Sequence, residues 1–307
     1  MRTAGSAPVS PAQAGFTLPE LLVSVLLLLI AMTSVTTLLK HMSTSHRTVW
    51  NRTEMHSSVR GATELLQQEV GQAGLVALPG AVALTGAAAI GTQAVSVNSV
   101  AGMFVGEQLA IDAGASQETV TVTAVSAANN QFTATFTVAH AVGAVVSAVG
   151  AFATGVVPAN MANGSTGTVL KLYGDINSDG NMVYVEYTCN TVAHTLSRNV
   201  MAWNAAAKPA LTSAVILLSN IVANPNGTPC FTYQTATVNG TTFVTDVAIT
   251  LTVQTQDIDP ITRQFQTETK TLLNVSPRNV FDVWELASLG ITNRVQPMPA
   301  SILALLP

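Results

Sequence analysis

Gly15-Phe16-Thr17-Leu18-Pro19-Glu20 opens an apolar run that continues to about Leu39. Across those roughly 24 residues Glu20 is the single charge, and a bilayer-spanning helix needs roughly 20 apolar residues at about 1.5 Å each. A carboxylate in an apolar span is expensive unless something answers it, which marks Glu20 as a functional residue. Pro19 does not argue against the helix, because a proline in the first turn lacks an N–H that would have no partner anyway.

Working outward from the span, the helix is expected to continue to about residue 75. Val49, Arg52, His56, Val59, Ala62, Leu66, Val70 and Ala73 recur at spacings of three and four, the pattern of one helix face. Arg52, Glu54, Arg60, Glu64 and Glu69 supply polar positions. Gly71 and Gly74 weaken the helix, and Pro79-Gly80 ends it. Upstream, the polar stretch from Met1 to Gly15 is long for the charged end of a secretory signal, and no A-x-A cleavage site follows the apolar run. A plain anchor would have no use for Glu20.

These residues together resemble the N-terminus of type IV pilin-like proteins: a polar leader ending in glycine, then phenylalanine, then glutamate at the fifth mature position. The resemblance implies that prepilin peptidase cuts after Gly15 on the cytoplasmic side and methylates the new amine of Phe16. It also implies that Glu20 pairs with the α-amino group of a neighbouring subunit and so sets the register of stacked helices. Opposite charges in a low dielectric attract strongly, and an unpaired Glu20 would penalise a misplaced subunit. Charge alone does not orient the span: the leader carries Arg2, whereas Lys40, Arg47, Arg52 and Arg60 lie beyond it. The stretch Glu64 to Leu75 is further similar to PilW-type minor pilins and to J-type pseudopilins of type II secretion.

Only 9% of the 307 residues are charged, well under the usual quarter, and β-branched residues abound. That composition suits an exported β-rich domain better than a cytosolic enzyme. A net charge of -4 gives no general nucleic-acid footprint, and Trp50, Trp203 and Trp284 are too scattered for a stacking platform. Cys189 and Cys230 are the only two cysteines. In an oxidising compartment they would form one disulfide, closing about 40 residues for roughly 3–4 kcal/mol; two buried thiols are the alternative.

The fold class expected is α+β, a long N-terminal helix packed on a β-rich domain with an inserted β-module. The chain divides into a leader (1–15), the helix (16–75, with 16–39 in the membrane), an insert (76–150), the main β-domain (151–280) and a tail (281–307). In the insert, Glu118–Val125 and Phe132–Val138 alternate as strands about a turn at Ala127–Asn130. In the main domain, Thr168–Tyr173, Met182–Tyr187 and Thr195–Arg198 read as strands, and Val215–Val222 as a buried strand or short helix. Phe243–Gln254 and Gln264–Val275 read as a long hairpin split at Asp257–Pro260. Ser276–Val280 resembles the Arg-Asn ending that follows the last strand of such proteins, and the tail beyond it has no assigned function.

One loop has metal-ligand spacing. Asp175, Asn177, Asp179 and Asn181 alternate about Gly180, and Glu186 follows at the distance of the closing ligand of a calcium loop. The competing reading is a hairpin turn rich in Asp, Asn and Gly that needs no ion. His41, His46 and His56 do not cluster as ligands, and His140 reads as a solvated loop residue. None of the common hydrolase, zinc-protease, P-loop or dinucleotide motifs is present.

The function expected is that of a minor pilin, anchored in the inner membrane with its β-domain in the periplasm and later in a pilus at the cell surface. Its partners would be prepilin peptidase, other minor and major pilins and the inner-membrane assembly platform, with no required cofactor and no catalysis. A pseudopilin of type II secretion and a pilus-borne adhesin or ligand-binding module are the alternatives.

Overall fold

The computed structural model describes residues 15–209 and 214–306, so the expected leader other than Gly15 lies outside the described residues. Helix α1 (Leu18–Gln72) runs for 55 residues, about 82 Å. Every residue from Phe16 to Ser43 is exposed. The apolar half therefore projects from the body as a free rod, and the second half is packed. Its packed face is Met55, Val59, Ala62, Leu66 and Val70, with Ala73 just beyond the end. The expected face is correct from Val59 onward. Before it, Val49 is exposed, and Met55, one turn ahead of Val59, replaces His56.

The chain leaves α1 at Gly74, makes an excursion, and returns at Ala151 to pair with Leu75. Seven strands make up the excursion: β1 (Val82–Ala83), β2 (Gly91–Ser96), β3 (Gln108–Ile111), β4 (Glu118–Thr121), β5 (Ala124–Ser126), β6 (Gln131–Phe136) and β7 (Val145–Ala148). They form two sheets, β1-β7-β3-β4 and β2-β6-β5, around a core that includes Leu109, Ile111, Val120, Phe132 and Phe136. Glu118–Val125, expected as one strand, is two. The Val122 N–H still donates to Glu107, but the Thr123 N–H donates to Thr133, so the chain crosses from one sheet to the other at that point. The alternation survives the crossing because both sheets face the same core.

The main domain begins with β8 (Ala151–Phe152), then β9 (Val169–Gly174), β10 (Val183–Asn190), β11 (Thr195–Ala202) and β12 (Val215–Leu218). The last four form an antiparallel sheet in the order β12-β11-β10-β9. A second sheet joins β13 (Ile221–Val222), β14 (Phe231–Val238), β15 (Thr241–Gln254) and β16 (Thr267–Val275), with β14 and β16 on either side of β15. The long hairpin is thus β15–β16, with Asp257–Pro260 in its turn. The apolar run Val215–Val222 is split between the two sheets, and Val215 and Ile216 are exposed. The packed face of α1 meets both sheets in one core with Leu170, Leu172, Val185, Tyr187, Phe231, Val247 and Leu251.

The C-terminal stretch is structured. Helix α2 (Arg278–Ser288) starts two residues before the expected boundary at 280 and buries Val280, Val283 and Ala287. Strand β17 (Val295–Gln296) pairs parallel with β8, and helix α3 (Ala300–Leu305) buries Ile302 and Leu305 beside Phe104, Phe152 and Tyr173. Gln296 ties this stretch to the insert: its amide donates to the carbonyls of Gln108 and Val149, both at 2.7 Å.

Candidate functional site

At the free end of α1, the Glu20 carboxylate closes the first turn. The Thr17 N–H and hydroxyl donate to its Oε2 at 3.0 and 2.8 Å. A carboxylate there satisfies an orphan donor and sits at the positive end of the helix dipole. Gly15 and Phe16 precede the helix outside any regular element, and Phe16 is almost fully exposed at 86%. The scissile bond expected between them is therefore open to an enzyme. Further along the apolar half, the hydroxyls of Thr33, Ser34, Thr36 and Thr37 each donate to the carbonyl four residues back. Polar groups that face lipid need such internal partners, so these residues do not interrupt the apolar surface.

The packed half of α1 carries a charge into the core. Glu69 is 4% exposed, and its carboxylate takes both Nε (3.1 Å) and Nη2 of Arg198 on β11 together with the Tyr187 hydroxyl on β10. Burial and the adjoining carboxylate push the Tyr187 hydroxyl well above its usual range, so it stays a donor. Burial works against the Arg198 charge, but Glu69 outweighs it and raises its pKa. Glu69 is not a solvent-facing position. The signal for this was present: Ala62, Leu66, Glu69 and Ala73 follow one another at steps of four, three and four.

The backbone at the exit of α1 is packed too tightly for side chains. Gly74 has φ +86°, its N–H donates to Tyr173 at 2.9 Å, and its carbonyl accepts from Phe152 at 2.9 Å. A Cβ on Gly155 would fall on the Gly74 backbone itself. Three chain segments therefore cross where α1 meets the sheet, fixing the rod to the β-domain.

Cys189 on β10 and Cys230 just before β14 form a disulfide with Cα atoms 6.5 Å apart, joining the two main sheets within the core under α1.

The loop with calcium-ligand spacing is a tight turn, and Glu186 does not join it. Asp175 is buried, and its two oxygens accept the N–H groups of Asp179 and Gly180 at 3.0 Å each. Asp179 accepts the N–H of Asn181 at 2.8 Å, and Asn177 is exposed. Glu186 points elsewhere: it is buried on β10, accepting from Lys208 Nζ at 2.6 Å and the Tyr184 hydroxyl at 3.0 Å. Glu186 thus lies apart from Asp175, Asn177, Asp179 and Asn181, and the Asp175 and Asp179 carboxylates accept N–H groups of the turn. Among the described residues, no group of three or more His, Cys, Asp and Glu side chains is placed to hold a metal ion.

His140 also departs from expectation. It is 2% exposed, with Nε2 2.7 Å from Glu118 and Nδ1 3.4 Å from Asp112, so it is a packed residue of the insert and not a solvated one. Neither acid lies within 20 residues of it in the chain, and only the folded sheets bring them together.

A family model described as the prokaryotic N-terminal methylation motif matches residues 10–36. The chain carries a type IV pilin-like N-terminus. The match takes in Gly15, Phe16 and Glu20 and most of the apolar half of α1, and it implies processing by prepilin peptidase, anchoring in a membrane and assembly with other pilins. No curated protein and no solved structure matches the chain. The pilin-like assignment therefore rests on the N-terminal motif, the exposed apolar helix and the β-rich domain packed on its second half.

Proposed function

We propose that this protein is a minor pilin of the PilW-like kind, which enters a type IV pilus after processing and acts in a tip or priming complex. The observation that carries the proposal is the lone carboxylate Glu20 at the free end of an unpacked apolar rod, inside the matched methylation motif. Among the described residues, Glu20 is answered by Thr17, one turn away. In a filament the α-amino group of a neighbouring Phe16 would be a stronger partner, because an ion pair in a dry setting exceeds a hydrogen bond from a neutral donor. The rod supplies packing, Glu20 supplies register and the β-domain supplies the exposed surface. The Cys189–Cys230 bond supports a β-domain on the oxidising, periplasmic side of the inner membrane. Assembly and binding, not catalysis, are the proposed activity.

Two measurements test this. The N-terminal peptide of protein extracted from membranes should begin with N-methylated Phe16; a chain that keeps Met1 would remove the ground for filament assembly. Glu20→Ala should be cleaved largely as usual yet be depleted at least ~10-fold from sheared pili, as expected when a buried charge loses its partner. Normal incorporation would rule out the register function. If loss of the protein abolishes secretion of a folded substrate and leaves pili intact, the filament is that of a type II secretion system instead.

A further inference from the structure

The turn of the β15–β16 hairpin is bound to α1 at three successive turns. His56 pairs with Glu268, Arg52 donates to Gln266, and the Thr48 hydroxyl donates to Asp259. As the hairpin runs from Glu268 to Asp259 its partners step from 56 to 52 to 48, so it climbs the helix toward the apolar half. The turn itself is built, not loose. Asp259 accepts the N–H and hydroxyl of Thr262 at 3.0 and 2.8 Å, its N–H donates to Gln264 at 3.0 Å, and the Arg263 N–H donates to Asp259 at 2.8 Å. This rigid tip displays apolar side chains to the outside: Ile258, Ile261 and Phe265 are 52%, 63% and 45% exposed.

The position of the tip supplies its partner. Thr48 lies about nine residues beyond Leu39, the end of the apolar run, or about 14 Å along the axis. Ile261 sits in the turn closed by the Arg263 N–H on the Asp259 carbonyl, within ~7 Å of Asp259. The headgroup layer extends roughly 5–8 Å past the hydrocarbon core, so the two lengths close the gap. Lys40, Arg47 and Arg263 carry positive charge near this level and Asp257 and Asp259 carry negative charge, so the apolar side chains of the tip, not a net charge, make the contact.

We propose that this tip is a membrane foot: Ile258, Ile261 and Phe265 rest in the headgroup layer of the bilayer that α1 crosses. The foot holds the β-domain at a fixed height and rotation on the membrane, and extraction into a filament must lift it out. The proposal rests on α1 spanning the bilayer, which the same experiment reads separately.

The test uses the full chain reconstituted into phosphatidylethanolamine–phosphatidylglycerol vesicles, carrying one environment-sensitive fluorophore at Ile261→Cys, Leu28→Cys or Val192→Cys. All three positions are exposed, so labelling does not disturb the core. Leu28 reports the span and Val192 reports water. The Ile261 probe is expected to emit to the blue of the Val192 probe, to lose at least ~3-fold in iodide quenching and to be quenched by headgroup-level nitroxide lipids. Iodide quenching at Ile261 equal to that at Val192, with Leu28 embedded, would overturn the foot alone. A Leu28 probe open to iodide would overturn the span and the foot with it. Protection at Ile261 that vanishes when the protein is diluted among excess vesicles would assign the tip to a second copy of the chain and overturn the lipid partner.

Discussion

Glu69 on α1 accepts Nε of Arg198 on β11 at 3.1 Å, deep in the junction between the rod and the β-domain. Two charges taken out of water stabilise only as a pair, and removal of one leaves the other stranded. Glu69→Ala should therefore cost about 3 kcal/mol, whereas the double replacement Glu69→Leu with Arg198→Met should recover much of that loss. Urea unfolding of the detergent-solubilised chain measures both. A loss below ~0.5 kcal/mol for Glu69→Ala would mean that water reaches the pair.

The exit of α1 gives a second prediction. At Gly74 a methyl group would lie 2.8 Å from Val280 Cγ2 and 3.1 Å from the Phe152 carbonyl, in a left-handed backbone. Gly155 has backbone atoms where its methyl would go. Gly80 has a similar φ, +86°, but open space around it. Gly80→Ala should thus cost only about 1 kcal/mol, Gly74→Ala more, and Gly155→Ala most, at more than ~3 kcal/mol. Equal melting temperatures for the three variants would contradict the crossing of segments at this point.

The parts of this fold that were legible in the sequence are those written in local periods. The apolar run with its lone Glu20, the stripe from Val59 to Ala73 and the β15–β16 hairpin each follow from a spacing of 3.6 or 2.0 residues. What escaped depends on partners distant in the chain. Glu69 and Arg198 are 129 residues apart, and Gln108 and Gln296 are 188 apart. The switch of sheets at Thr123 leaves no mark in an alternating pattern. Asp175 and Asp179 show the opposite problem. The side-chain spacing that can wrap a cation also serves N–H groups of a tight turn, and the two uses look alike in a sequence.

The disulfide gives a third prediction. Cys189 and Cys230 are separated by 41 residues and tie two sheets that share the α1 core. Opening the bond should lower stability by roughly 3–4 kcal/mol, a fall of about 5–15 °C in Tm. Melting with and without a phosphine reductant reads it directly. The Cys189→Ala, Cys230→Ala double variant should show the same fall and no further response to reductant. A reductant-sensitive double variant would place the effect elsewhere.

Glu107 supplies a dependence on pH. It is fully buried beside Phe104, whose N–H donates to Oε2 at 3.2 Å, while its Oε1 has no hydrogen-bond partner among the described residues. Burial pushes its carboxyl from 4.5 up to about 8, with the Phe104 N–H pulling partly the other way. Between those two values the folded chain keeps the proton and the unfolded chain has lost it, so stability falls as pH rises through the window and levels off above about 8. Glu107→Gln keeps the shape and an acceptor for Phe104 without the ionisation. It should match the parent near pH 4.5 and be more stable by roughly 2–4 kcal/mol at pH 8. Urea midpoints at pH 5, 6.5 and 8 separate the two proteins. Parallel curves across that range would show that Glu107 is solvated in the folded state, and that the joint between insert and C-terminal stretch is wetter than its packing indicates.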